Sequence, residues 1–121
     1  MFLWDKRGLQ VDNIDYKDFA KVEIRIGTII EVKDFPEAKK PAYKLKIDFG
    51  ESGVRLSSAQ ITSFYKKEDL LYKQVVAVLN FAPKKIANFY SECLVLGVSE
   101  SGSDVVLLNV DKPVVNGLKV F

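Results

Sequence analysis

The chain has 121 residues, with 18 lysine plus arginine against 16 aspartate plus glutamate (net charge +2), no histidine and one cysteine. Without histidine there is no histidine general base, no Ser-His-Asp triad and no histidine metal ligand, and Cys93 alone cannot make an internal disulfide or a multi-cysteine zinc site. A hydrophobic share of 48% and a charged share of 28% are those of an ordinary globular domain, and the small net charge rules out a histone-like basic arm.

Residues 1–14 carry the weakest pattern and read as an N-terminal extension. Its start, Met1-Phe2-Leu3-Trp4-Asp5-Lys6-Arg7, puts apolar residues before charged ones, the reverse of a secretory signal. No apolar run approaches the roughly 18–20 residues of a membrane span. Together with the single cysteine, this predicts a cytoplasmic protein. Asp12-Asn13-Ile14-Asp15 is turn chemistry, and residues 15–22 read as one or two helical turns capped by Asp15, with Asp18 at the capping-box position.

The period then changes from helical to alternating. Val22, Ile24, Ile26, Ile30 and Val32 alternate with Glu23, Arg25, Gly27, Glu31 and Lys33, which predicts a long half-buried strand with a bulge or bend at Gly27. A loop over 35–42 follows, stiffened by Pro36 and Pro41. Tyr43, Leu45, Ile47 and Phe49 alternate with Lys44, Lys46 and Asp48 in a second strand. Gly50-Glu51-Ser52-Gly53 turns the chain into a third strand over 54–61. Residues 62–71 are the one candidate for a longer helix. The Val-rich run 75–79 is a strand covered on both sides. A loop over 82–88 leads to another buried strand at 93–98, and Ser101-Gly102-Ser103-Asp104 turns into 105–108. Long bent strands, short turns and a helix between strands three and four predict an all-β fold. The layout is a five-stranded OB-fold Greek-key barrel with extra terminal elements, one domain over 15–121.

Several motifs, in order, carry a family resemblance. They are Ile24-Arg25-Ile26-Gly27-Thr28-Ile29, Phe35-Pro36-Glu37-Ala38 and Tyr43-Lys44-Leu45-Lys46-Ile47-Asp48-Phe49-Gly50. Together they resemble the tRNA-binding domain family, which includes the C-terminal appendage of some methionyl-tRNA synthetases. Lys39-Lys40-Pro41-Ala42-Tyr43, Ser57-Ser58-Ala59-Gln60-Ile61, Gln74-Val75-Val76-Ala77-Val78 and Asn80-Phe81-Ala82-Pro83-Lys84-Lys85-Ile86 are similar to its free-standing CsaA branch. Ser91-Glu92, the run to Gly97-Val98 and Asn116-Gly117 complete the match. The resemblance implies an OB-fold homodimer without a catalytic domain or cofactor, a chaperone that binds unfolded or export-destined polypeptides. The alternative is a structure-specific tRNA-binding protein acting in trans. Appended tRNA-binding domains commonly carry Arg-Gly after the Lys-rich turn, where this chain has Ala87 and Asn88; that departure removes a phosphate contact.

The candidate groove for peptide or RNA comprises Ser57, Ser58, Gln60, Asn80, Phe81, Lys84, Lys85, Phe89, Ser91 and Glu92. Serine and glutamine pair with base edges or with a peptide backbone; the blander reading is a hydrogen-bonded strand end. An aromatic beside a basic loop stacks a base or holds an apolar side chain, and Phe89, placed in the loop, is the best candidate for exposure. Asn80 either fixes the turn or faces the ligand. Glu92 either accepts from a ligand or pairs with Arg25, the reading favoured here. Arg25, Lys39, Lys40, Lys44, Lys46 and Arg55 are the RNA-contact candidates, to be weighed against solvated lysines on an outer barrel face. Cys93 reads as a small core residue. Enzyme readings lack support. A Ser-Lys dyad has no spacing behind it, Gly50–Gly53 lacks the Lys-Ser/Thr of a Walker loop, and no acidic cluster has metal spacing.

Overall fold

Alternating apolar residues build the longest strand, β1 (Ile24–Asp34), and it serves two neighbours in turn. Its first half pairs antiparallel with β4 (Gln74–Val78), from Ile24 opposite Val78 to Thr28 opposite Gln74. Its second half pairs with β2 (Tyr43–Asp48), from Thr28 opposite Asp48 to Asp34 opposite Tyr43. The sequence predicts the bend at Gly27, but the register slips between Ile29 and Glu31, so the bulge is at Ile30. Gly27 serves packing instead. A Cβ there would lie 2.6 Å from the Phe49 ring and 2.7 Å from Ile47, both fully buried.

This computed structural model describes residues 12–121; the expectations for residues 1–11, which make up most of the N-terminal extension, fall outside the described residues. α1 (Tyr16–Ala20) follows Asp15, which makes no side-chain cap. Asp18 does not close a capping box; its carboxylate takes Lys21 at 3.3 Å. The Gly50–Ser52 turn joins β2 to β3 (Val54–Ala59), with Tyr43 opposite Ala59 and Asp48 opposite Val54. The helix expected over 62–71 contracts to α2 (Lys67–Leu70). Tyr65 is held by the barrel: its carbonyl accepts the Tyr43 hydroxyl (2.8 Å) and its own hydroxyl accepts the Leu107 N–H (3.1 Å). The helix therefore starts only where Asp69 caps the Lys66 N–H (3.0 Å).

Beyond β4 the chain makes β5 (Lys84–Ile86), β6 (Phe89–Ser91), β7 (Leu94–Val95), β8 (Gly97–Val98) and β9 (Val106–Leu107). The main sheet runs β3-β2-β1-β4-β7; β5–β6 and β8–β9 form two small sheets. The single strand expected over 93–98 is thus split between two sheets, and the loop expected over 82–88 is mostly a hairpin. The core is formed by Ile29, Leu45, Ile47, Phe49, Leu70, Val75 and Ala77. Between the edge strand β3 and the 91–93 segment the barrel is closed mainly by side chains. Ser57 Oγ donates to the Cys93 carbonyl (3.1 Å), the Leu56 N–H to Glu92 Oε1 (2.9 Å) and the Ser58 N–H to Ser91 Oγ (3.1 Å). The result is the expected all-β architecture, a nearly closed five-stranded antiparallel barrel of OB type. Among the described residues no helix is long and apolar enough to cross a membrane.

Candidate functional site

Where β3 runs past the end of β2, its continuation forms one wall of an open groove of about 430 Å³. The β5–β6 hairpin, β7 and the Phe81-Ala82 segment form the rest. Six of the residues predicted for the groove converge there: Ser58, Gln60, Phe81, Lys84, Ser91 and Glu92. Alternation explains the β5 contribution, since Lys84 and Ile86 both line the groove while Lys85 between them does not. Phe81 is 60% exposed, a large apolar surface. Ile61, Ile86, Leu94, Val95 and Val105 also line the groove, and none was singled out from the sequence. In a strand pattern they are indistinguishable from core, and Ile61 is indeed buried; at the barrel mouth Ile86, Val95 and Val105 are half-buried and Leu94 is exposed.

The other four predicted groove residues lie elsewhere. Ser57 is 1% exposed and tied to Cys93. Lys85 sits opposite Tyr90 on the outer side of the hairpin. Asn80 fixes the strand end: its Oδ1 accepts the Glu23 N–H (2.9 Å) and its Nδ2 donates to the Lys21 carbonyl (2.7 Å). Phe89, expected to be exposed, is half-buried in β6 and meets Phe35 edge-on at 5.4 Å. It lines a second, smaller recess of about 250 Å³ with Glu31, Lys33, Lys44 and Lys46. The predicted Arg25–Glu92 pair is not formed. Arg25 binds Glu23 (2.7 Å) and the Gly117 carbonyl (3.0 Å), because β4 lies between β1 and β7. Glu92 turns instead to the Leu56 N–H.

The basic candidates divide in two. Arg25 is engaged as above, and Arg55 donates to the carbonyls of Leu79 (3.1 Å) and Ser52 (3.4 Å). Lys44 pairs with Glu37 at 3.6 Å and stacks over the Phe35 ring at 4.8 Å. Lys46 shares Glu31 with Lys33, at 3.1 and 2.8 Å, and the bonds from Lys33 and then Lys46 hold the Glu31 carboxyl below its ordinary range. Lys39, Lys40, Lys84 and Lys85 are exposed and have no acidic partner among the described residues. Burial pushes the Cys93 thiol up to about 11, which makes it a poor nucleophile at neutral pH. Among the described residues no three metal-ligating side chains cluster.

Residues 24–119 match the family described as "Putative tRNA binding domain". The methionine–tRNA ligase of Pyrococcus horikoshii is 41% identical over 115 residues, which are 95% of this chain and 16% of the ligase. That of Methanocaldococcus jannaschii is 35% identical over 115 residues, 95% of this chain and 17% of the ligase. The chain thus spans about one-sixth of the length of these curated relatives. The crystal structure of the chaperone CsaA from Bacillus anthracis is 47% identical with a TM-score of 0.87, covering 91% of this chain and 100% of that one. The CsaA chaperone structure from Picrophilus torridus is 55% identical with a TM-score of 0.82, covering 90% and 100%. An OB-type barrel carrying the family's motifs along nearly its whole length, with these matches, means that the chain belongs to the tRNA-binding domain family and within it resembles CsaA.

Proposed function

We propose that the protein is a non-catalytic, CsaA-like chaperone of the cytoplasm, one binding domain over residues 15–121, which holds unfolded or export-destined polypeptides in the Ser58–Lys84 groove. A tRNA-binding or chaperone-like role follows from the family. The choice of polypeptide rests on one observation: the groove is walled mainly by apolar side chains, with Lys84 the one lining cation among the described residues, while Arg25, Lys44, Lys46 and Arg55 spend their charge on carboxylates and carbonyls of the barrel itself. Apolar side chains of an unfolded chain fill such a groove whatever their order, which suits promiscuous binding. Ser58 and Gln60 supply polar contacts and Phe81 an apolar platform.

Titration with bulk tRNA and with a reduced, alkylated polypeptide at two salt concentrations tests the reading. Polypeptide affinity should change little with salt. Log affinity for RNA falls by about 0.7–0.9 per log unit of salt for each phosphate neutralised. Tight tRNA binding with no polypeptide binding overturns the proposal. That second reading is favoured by Lys39, Lys40, Lys84 and Lys85, the exposed cations without acidic partners among the described residues. The protein is further proposed to be a homodimer. Val98 (59% exposed), Val115 (74%) and Leu118 (51%) leave apolar surface that a second copy would cover. Sedimentation showing only monomer at high concentration overturns that part.

A further inference from the structure

The wall of the groove formed by β3 is a strand edge whose hydrogen bonding stops part-way. In an antiparallel ladder the N–H and C=O of alternate residues point to the same side. Leu56 and Ser58 point away from β2. The Leu56 carbonyl accepts the Glu92 N–H (2.7 Å), its N–H goes to the Glu92 carboxylate and the Ser58 N–H goes to the Ser91 hydroxyl. Gln60 directly follows the end of β3, and its N–H continues this series. Among the described residues, the Ser58 carbonyl and the Gln60 N–H and carbonyl have no hydrogen-bond partner. Both residues line the groove, and Gln60 is exposed. Three open backbone groups, two residues apart and beside an apolar trough, form a template for another strand. The charge at the groove is equally specific: the Glu92 carboxylate is engaged with backbone, and Lys84 is exposed without an acidic partner among the described residues.

We propose that the groove takes its polypeptide as an added β-strand, with an extended, carboxylate-bearing segment hydrogen-bonded to Ser58 and Gln60. The residue opposite Gln60 exchanges both its N–H and its C=O with it. The residue two further along donates its N–H to the Ser58 carbonyl, whose own N–H is already occupied. Alternate side chains of the segment enter the trough toward Ile86 and Leu94, and a carboxylate on the segment meets Lys84. Ser91 and Glu92 act as positioning residues: by filling the edge up to the Ser58 N–H they limit the template to its last groups and so fix the register. This rests on the polypeptide reading and deepens it. Recognition is of backbone, which every unfolded chain presents, with a preference for alternating apolar residues and negative charge.

The test uses the full chain and a seven-residue synthetic peptide of alternating valine and threonine with one threonine replaced by glutamate. Binding is measured with a single N-methyl group placed at each backbone position in turn. Two N-methyl positions, two residues apart, should each weaken binding about tenfold, with the position between them tolerated. Uniform tolerance with the parent peptide still binding overturns strand addition and leaves the polypeptide reading intact. No binding of the parent peptide overturns both. On the protein side, Gln60→Pro deletes the open N–H at a position outside the β2 ladder and should weaken binding about tenfold more than Gln60→Ala. Equal effects of the two variants overturn the proposal. Replacing the glutamate by lysine should cost about fivefold. Dissociation of a dimer into monomers on adding peptide would assign the edge to a second copy and overturn the proposal.

Discussion

Gly27 and Phe49 show how a single missing side chain shapes this barrel. A methyl at position 27 would stand 2.6 Å from two ring carbons of Phe49, which is fully buried and has nowhere to go. Gly27→Ala should therefore destabilise the fold by about 1–3 kcal/mol, measured by urea unfolding, although alanine usually favours ordered structure over glycine. The sequence marks Gly27 as exceptional because it interrupts an alternating strand, but it does not say why. A glycine in a strand signals either a bulge or a close approach, and only the position of a residue 22 places away decides between them. The serines behave the same way. Alternation implies that Ser57 and Ser58 face opposite sides, but which of them is buried depends on the register of β3 against β2. Phe89 reads as exposed because the partner that half-buries it, Phe35, is distant in sequence.

At the scale of elements, β1 to β4 were legible because each has a strong local period. The β5–β6 hairpin was not. Pro83 and the Ala87-Asn88 pair read as loop, and the two-residue turn between Ile86 and Phe89 uses Ala87 at φ +52°, where glycine is the ordinary signal. The clasp joining the two ends of the fold was also hidden, since it is made of charged residues that look like surface. Glu23 accepts Lys119 at 2.9 Å and Arg25 at 2.7 Å, and Lys119 also donates to the Ala20 carbonyl (3.2 Å). These bonds, Lys119 first and Arg25 second, hold the Glu23 carboxyl below its ordinary range. The folded pKa is the lower one, so the stabilisation is present above the ordinary glutamate value of about 4.3 and is lost as pH falls through that value and below. Unfolding followed across the acid range should show stability dropping below about pH 4–5. Glu23→Gln should be less stable than the parent at neutral pH, and should lose less on acidification. An identical acid limb in the two proteins would refute this role for the clasp.

For the whole molecule, the sequence carried the fold class and the family but not the shape of the groove. Family motifs are spread along the chain, so they survive a linear reading. A groove is assembled from 58–61, 81, 82, 84, 86, 91–95 and 105, and half of its lining is apolar residues that any reading assigns to the core. The closure of the molecule depends on the chain end in a similar way. The segment 117–120 zips along β1, with the Ile26 N–H donating to the Leu118 carbonyl (3.0 Å) and the Val120 N–H to the Ile24 carbonyl (2.9 Å). Gly117 adopts φ +94° against the Phe49 carbonyl, 2.6 Å from where a Cβ would stand. Gly117→Ala should cost about 2 kcal/mol and speed amide exchange at Ile26. Unchanged exchange there would show that the segment docks independently of this turn.

The clasp brings the first and last elements of the barrel within one hydrogen bond of each other, from Lys119 to the carbonyl of Ala20. A fold whose entrance and exit coincide can be grafted to another polypeptide through a single stem, with little strain on either partner. The stem is built around Glu23, Arg25 and Lys119, none of which lines the groove. Among the described residues the stem and the groove thus lie apart, so a polypeptide joined at the stem leaves the groove lining intact.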